Sequence, residues 1–443
     1  MINLQKNLLE NAERLNEIHR RFLALRKSTL EGVESLLKLQ LAAVWPFQAQ
    51  LEAAPTTHPS PLFNAYQLAE FATGSLSNCF GPDYEVYAGR RFPRIPNGEL
   101  ALISQVLEIH GEKCQFERPA SILSEYDVPL EAWFLTENSS LEMPYSICME
   151  IALQPCGFLS AYIGTPTLCP DQEFFFRNLD GQGKLLDKID TRGKTISSKA
   201  RLLSTLVSGA TIIQRFDFDL ECEGKSFFQG NSVFGYFSPE AMLKQAGLDG
   251  GRKTQPLYCQ SSEKQPDGVL VDLNDPANRS LYYQGSHEQP NYHLAQGRLN
   301  LLDRVFLSRC GGRHGLGYIY TTTLVDPRDW FYRCHFFQDP VMPGSLGIEA
   351  ILQALQVYGL HFDLGQGLRS PTFSLPSGGA SITWRYRGQI VPTNQLMQIE
   401  VHITRLDRSP NQIIIEADAS LWADDVRIYE VKGAALQLAP ANG

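Results

Sequence analysis

Three segments of this chain recur in the same order at a nearly constant spacing. LALISQV (100–106) matches LNLLDRV (299–305), and MPYSICMEIALQ (143–154) matches MPGSLGIEAILQ (342–353), both at an offset of 199 residues. Between them, AWF (132–134) matches DWF (329–331). One such match would mean little. Three in order require two copies of one structural unit, so any fold for the chain must place the same elements twice. The copies run over 62–245 and 290–443. The intervening 246–289 is rich in Gly, Pro, Asp and Ser and reads as a linker with some added structure.

Each copy follows the same internal plan. A Met-Pro pair precedes a segment, SLGIEAILQALQVYGLHF in copy two, that is apolar on nearly every side. Such a helix is enclosed rather than laid on a surface. Strand-like runs follow: GATIIQRFDFDLECEG (209–224) in copy one, and ITWRYRGQIV (382–391), LMQIEVHITRL (396–406) and QIIIEADASLWA (412–423) in copy two. Period-two alternation and β-branched or aromatic content mark them as strands. A long buried helix wrapped by an antiparallel sheet is the α+β hotdog architecture, and two side by side make a double hotdog. Ahead of it, 1–55 reads as a long helical linker or docking segment. Leu8, Leu15, Ile18, Phe22, Leu25, Leu30, Val33 and Leu36 recur there at helical steps, and Pro46 kinks or ends the run.

Composition narrows the function classes. A formal net charge of −9 argues against a general nucleic-acid binder. No run of apolar residues is long enough for a membrane-spanning helix, and the polar start MINLQKNLLENAERLNE is no secretory signal, so a cytoplasmic protein is expected. The nine cysteines include no C-x-x-C pair and read as free, buried thiols. No nucleotide-binding glycine motif and no metal-ligand spacing is visible, so neither a cofactor nor a metal is expected.

The strongest local signal is WFYRCHFFQDPVMPGSLGIEAILQ (330–353): a histidine (His335), then D-P-V-M-P-G ending at Met342, Pro343 and Gly344, then an acid on the helix (Glu349). This segment resembles the active-site region of the β-hydroxyacyl carrier-protein dehydratases, in particular the β-hydroxydecanoyl-type dehydratase/isomerases. WRYRGQIVPTNQLMQIEVHITRL (384–406) is similar to that family's strands after the helix. The resemblance is close over 298–435 and looser over copy one. HRRFLALR (19–26), EFATGSLSNCFGP (70–82), FFRNLDGQG (175–183) and NSVFGYF (231–237) resemble the dehydratase regions of polyunsaturated fatty-acid synthases and related polyketide synthases.

The resemblance implies a dehydratase that converts 3-hydroxyacyl thioesters to trans-2-enoyl thioesters, with 2-trans to 3-cis isomerisation left open. Its substrate would ride on the phosphopantetheine of an acyl carrier protein, and its partners would be that carrier and the other domains of a multidomain synthase. Homodimer formation stays open. The chemistry needs a base for the α-proton, an acid for the leaving hydroxyl and donors for the developing enolate oxygen. A neutral imidazole suits the first and a protonated carboxyl the second. His335 is the expected base. In homodimeric relatives histidine and acid come from different hotdogs. The acid facing His335 is therefore expected to be Glu150, the repeat equivalent of Glu349, with Glu349 as the alternative. Gln154 and Gln353 stand one turn further along, placed to bond the carboxyl or order a water. The Gly344 N–H and the helix dipole would serve the enolate. Ser345, with Met342 and Pro343, has a supporting rather than a covalent role.

Copy one has no histidine at the matching place. WFLTENSSLEM stands where copy two has WFYRCHFFQDPVM, two residues longer, so one competent site per double hotdog is expected. Cys334 reads as packing and Tyr145 as a space-filler. Arg90, Arg91 and Arg94, or Arg328, Arg333 and Arg385, are candidates for carrier docking, although a run of arginines is most often a solvated face. Two other functions compete. A hotdog thioesterase would lack the His…D-P-V-M-P-G run, and a non-catalytic acyl-binding scaffold would show no turnover.

Overall fold

Two 18-residue helices, α1 (Tyr145–Tyr162) and α2 (Gly344–His361), form the axes of the molecule. They start and end at positions 199 residues apart. Each begins directly after a proline, which has no N–H of its own to leave unpaired at the helix entrance. Both are buried along nearly their whole length, as their all-round apolar sequence requires. The computed structural model describes residues 60–440 except 117, 170, 210, 261–265, 287, 288, 290, 379 and 380. The helical segment expected over 1–55 lies outside them.

Copy one contributes β1 (Gln105–His110), β2 (Ala120–Asp127), β3 (Phe175–Leu185), β4 (Thr195–Ser208), β5 (Thr211–Cys222) and β6 (Lys225–Phe237). Copy two contributes β7 (Val269–Asp272), β8 (Arg304–Ser308), β9 (Tyr318–Leu324), β10 (Pro371–Ser374), β11 (Ile382–Tyr386), β12 (Leu396–Ser409), β13 (Gln412–Ala423) and β14 (Val426–Pro440). All join one 14-stranded sheet in the order β1-β2-β4-β5-β6-β3-β11-β14-β13-β12-β9-β8-β7, with β10 paired to β14. The order 8-9-12-13-14-11 in copy two repeats 1-2-4-5-6-3 in copy one. The repeat seen in sequence is thus a repeat of topology, and the fold is a double hotdog. Alternation sets the inward faces: on β5, Ile212, Phe216, Phe218 and Leu220 are buried beneath the sheet.

The two hotdogs meet where β3 pairs antiparallel with β11, with Gly181 opposite Trp384. A Cβ on Gly181 would come within 2.4 Å of the Trp384 ring, so glycine is what lets the indole lie against the seam. Trp384 Nε1 then donates to Asn178 Oδ1 across it at 2.8 Å.

The stretch 246–289 is folded onto copy two. Its strand β7 pairs with β8, and its helix Pro276–Tyr283 is capped by the Asp275 side chain. Leu257 and Tyr258 cover Phe306, Tyr318 and Tyr320 on the sheet. The nine cysteines are all free, but Cys114, Cys259 and Cys310 are exposed rather than buried. No helix among the described residues is long and apolar enough to cross a membrane.

Candidate active site

Each copy grips the loop that precedes the other copy's helix. Asn97 N–H donates to the Cys334 carbonyl at 2.7 Å, and Gln296 N–H donates to the Glu137 carbonyl at 2.7 Å. Trp133 and Trp330 meet edge to face at 5.0 Å on the line between them. Their indole N–H groups donate to the Glu99 and Arg298 carbonyls, which hold matching places in the repeat. This exchange turns the loop bearing His335 toward copy one.

His335 caps the short helix Phe331–Cys334 and is buried, stacked on Phe336 at 3.9 Å. Its Nδ1 lies 2.9 Å from the Val341 carbonyl. A carbonyl only accepts, so Nδ1 carries the proton and Nε2 of the neutral ring holds the lone pair. Burial pushes the imidazole below its ordinary value. The nearby Glu150 carboxyl opposes that shift most strongly, followed by the Val341 bond. The outcome is a ring that stays neutral and basic at neutral pH.

Glu150, on α1, is also buried. Ser345 Oγ donates to its Oε1 at 2.6 Å from the other hotdog, and Gln154 Nε2 donates to its Oε2 at 3.0 Å. Gln154 also donates to the Leu100 carbonyl and accepts from Leu102 N–H, so its amide is fixed in orientation. His335, Glu150, Gln154, Met342, Gly344 and Ser345 line one cavity of about 770 Å³, mouth included. Gly344 is the first residue of α2, where the N–H groups of the opening turn have no partner within the helix. The Tyr386 hydroxyl donates to its carbonyl at 3.1 Å, and a Cβ there would come within 2.7 Å of the Tyr386 ring. Met149, Leu153 and Gly157 continue the same wall of the cavity along α1, facing Phe176 and Phe234.

Glu349 is not part of this cavity, and its place among the catalytic candidates is corrected. It sits on α2 in a separate space of about 350 Å³ with Asn138, Ser139, Tyr145 and Gln356, where none of the lining residues is a histidine. Burial raises its pKa, and it accepts from Ser146 N–H at 3.2 Å. The reason is the exchange of loops: each helix acid faces the other copy's loop. Gln353 is corrected likewise. Its amide bonds the Leu299 carbonyl and Leu301 N–H, inside its own copy. Pro343 stands at the entrance of α2 and does not line the His335 cavity.

The smaller space has a simple origin. Gly344 and Gly157 border the His335 cavity; 199 residues away, Tyr145 and Gln356 border the other. Tyr145 fills its place firmly, donating to the Gly183 carbonyl at 2.9 Å. Cys334 is a packing group whose thiol donates to Glu99 Oε2 at 2.8 Å; burial and that bond push it up to about 11. Arg94 caps the helix Ala65–Thr73, donating to the Phe71 and Gly74 carbonyls, and Arg328 and Arg385 are paired with Asp326 and Glu430.

Sequence reasoning missed Arg177. From β3 of copy one, its guanidinium forms a two-pronged bond to Asp339 in the His335 loop. Both residues lie within recognisable motifs, but nothing local pairs two residues 162 apart.

The FabA-like domain model matches residues 294–432. A polyunsaturated fatty acid synthase polypeptide of Thraustochytrium sp. (strain ATCC 26185 / S-3) is 34% identical over 391 residues, covering 84% of this chain and 26% of the relative. The chain therefore spans about a quarter of that relative's length. Among solved structures, the dehydratase domain from the CurJ module of curacin polyketide synthase is 13% identical, with 78% of this chain and 98% of that chain covered and a TM-score of 0.39. The 12:0-ACP thioesterase from Umbellularia californica is 9% identical, with 72% and 94% covered and a TM-score of 0.37. Overlaps this loose carry no argument about chemistry.

Proposed function

We infer, from a chain whose residues 294–432 belong to the FabA-like dehydratase family, that one composite site spanning both hotdogs removes water from 3-hydroxyacyl thioesters. The substrate is carried on an acyl carrier protein within a polyunsaturated fatty-acid synthase, and the product is the trans-2-enoyl thioester. The observation that carries this reading is the meeting of His335 and Glu150, from different copies, in one cavity beside the N-terminus of α2.

The thioester carbonyl lies toward the Gly344 end of α2, where backbone N–H groups and the helix dipole stabilise charge on oxygen. His335 Nε2 takes the proton from C2, and the C2–H electron pair becomes the enolate. As the enolate collapses, the C2=C3 double bond forms and the C3–O bond breaks. The Glu150 carboxyl delivers the proton that lets hydroxide leave as water. The proton on His335 returns to Glu150 through solvent to close the cycle. Base and acid each contribute roughly 10²–10⁴-fold. Isomerisation to the 3-cis isomer would reuse His335 on the bound enoyl product.

The test is turnover of 3-hydroxyacyl carrier-protein or pantetheine thioesters of several chain lengths, with products resolved by double-bond position. His335→Ala and Glu150→Gln should each lose about two orders of magnitude or more, while Glu349→Gln stays near wild type. Activity lost in Glu349→Gln and kept in Glu150→Gln would overturn the cross-hotdog pair. A folded wild type that binds acyl thioesters without turnover would leave the scaffold reading, and release of free acid would leave the thioesterase reading.

A further inference from the structure

The loop between His335 and Gly344 is bent and short. Gln338 adopts a φ of +63°, a conformation that a side-chain-bearing residue keeps only when its surroundings hold it. The next residue is Asp339, and Arg177 holds it. Nη1 donates to Oδ2 at 2.6 Å and Nη2 to Oδ1 at 2.8 Å, while Nη1 also donates to the Phe176 carbonyl at 2.9 Å. The two side chains are only 10% and 15% exposed. Phe176 and Arg177 sit on β3, in the hotdog that supplies Glu150, and Arg177 lines the same cavity as His335.

A buried ion pair is a poor source of net stability, because desolvation cancels most of the attraction. Its two-pronged geometry does fix orientation, which a lysine's single ammonium does not. Resting on the dehydratase reading above, we propose that Arg177 and Asp339 are positioning residues. Their ion pair anchors the His335 loop of one hotdog to the strand of the hotdog that supplies Glu150, holding base and acid in register across the interface. The pair also balances charge beside the imidazole: the guanidinium opposes protonation of His335 and the carboxylate favours it.

The experiment compares Arg177→Gln, Arg177→Lys and Asp339→Asn with wild type in steady-state turnover, thermal melting and NMR titration of labelled histidine, the His335 signal being assigned by its loss in His335→Ala. All three variants should lose kcat by about 10- to 10²-fold with KM little changed, as expected for a misplaced base. The His335 titration should move up in Arg177→Gln and down in Asp339→Asn, whereas Arg177→Lys keeps the charge and should leave it nearly in place. A general loss of structure would move both titrations the same way, toward the free-imidazole value. Arg177→Lys guards against a Gln variant that does not fold. Folded variants with wild-type kcat would overturn the positioning role while leaving the dehydratase reading intact. A wild type without turnover would overturn the dehydratase reading, and the positioning role with it.

Discussion

Asn138 holds in the smaller cavity the place that His335 holds in the larger one. Its Nδ2 donates to the Glu142 carbonyl at 2.9 Å, as His335 Nδ1 does to the Val341 carbonyl at 2.9 Å, and Glu142 and Val341 are repeat equivalents. The loop bond has been kept with a side chain that cannot act as a base. Asn138→His restores an imidazole near Glu349, but Tyr145 and Gln356 still crowd the space. In a His335→Ala background, Asn138→His alone should therefore remain as inactive as His335→Ala. Recovered turnover in that double variant would show that the smaller cavity admits substrate despite both side chains.

Much of this architecture is legible without coordinates, because both copies had to keep one buried helix and one strand order. The offset of 199 residues locates α1, α2 and the pairing of Glu150 with Glu349. The same offset sets Tyr145 against Gly344 and Gln356 against Gly157, so the narrowing of the second cavity was readable by superposing the copies. The Arg177–Asp339 bond was not. It depends on how β3 packs on a loop of the other copy, a tertiary relation without sequence periodicity. Glu349 was misplaced for the same reason: a motif lists residues by order along the chain, whereas the site is assembled by exchange between copies.

The protonation of His335 should be visible in the rate. Burial lowers its pKa, with Glu150 the chief opposing influence, so the neutral base persists below the ordinary imidazole value of about 6.5. The acid limb of kcat/KM should have its midpoint below that value, and in Glu150→Gln the residual activity should hold to still lower pH. A pH–rate profile over the free enzyme reports this directly. A wild-type midpoint at or above 6.5 would contradict the buried, neutral imidazole.

Glu349 should announce itself in stability rather than in rate. Its folded pKa is raised by burial, so the folded state favours the protonated form. Its contribution is fully present below the unfolded carboxylate value of about 4.3. It is lost as pH climbs from there through the folded value, because the unfolded chain ionises first. Within that window the slope approaches roughly 1.4 kcal/mol per pH unit. Glu349→Gln, a near-isosteric neutral group, should remove this component, so that its melts lose less stability than wild type between mildly acidic and neutral pH. Superimposable stability curves for the two proteins would mean that Glu349 is ionised in the folded state.

Gly344 bears on both fold and rate. A methyl group there would come within 2.7 Å of the Tyr386 ring, which is itself buried. Overpacking of this kind costs about 1–3 kcal/mol. Gly344→Ala should therefore melt earlier and lose kcat, because moving Tyr386 also disturbs the backbone at the start of α2. Pairing it with Tyr386→Phe, which removes the bond to the Gly344 carbonyl but not the ring, should not restore activity. Full activity in Gly344→Ala would show that the ring yields freely and that close backbone approach at this position is unnecessary.

The depth of the acyl site can be set by one residue. Gly157 lies on the same face of α1 as Glu150, two turns further along, or roughly 10 Å at 1.5 Å per residue. A Cβ there meets the Phe176 ring at 3.4 Å, an ordinary contact, so the helix itself tolerates a side chain. A side chain also favours the helical backbone over glycine by about 0.5–1 kcal/mol. Gly157→Gln copies what the other hotdog has at position 356, and it should leave the melting temperature unchanged or higher while shortening the cavity. Turnover of short 3-hydroxyacyl thioesters should persist, whereas kcat/KM for long ones should fall by about tenfold or more, one methylene in such a pocket being worth about 1–3 kcal/mol. An unchanged chain-length profile would place the acyl chain elsewhere than along the Met149–Leu153–Gly157 wall.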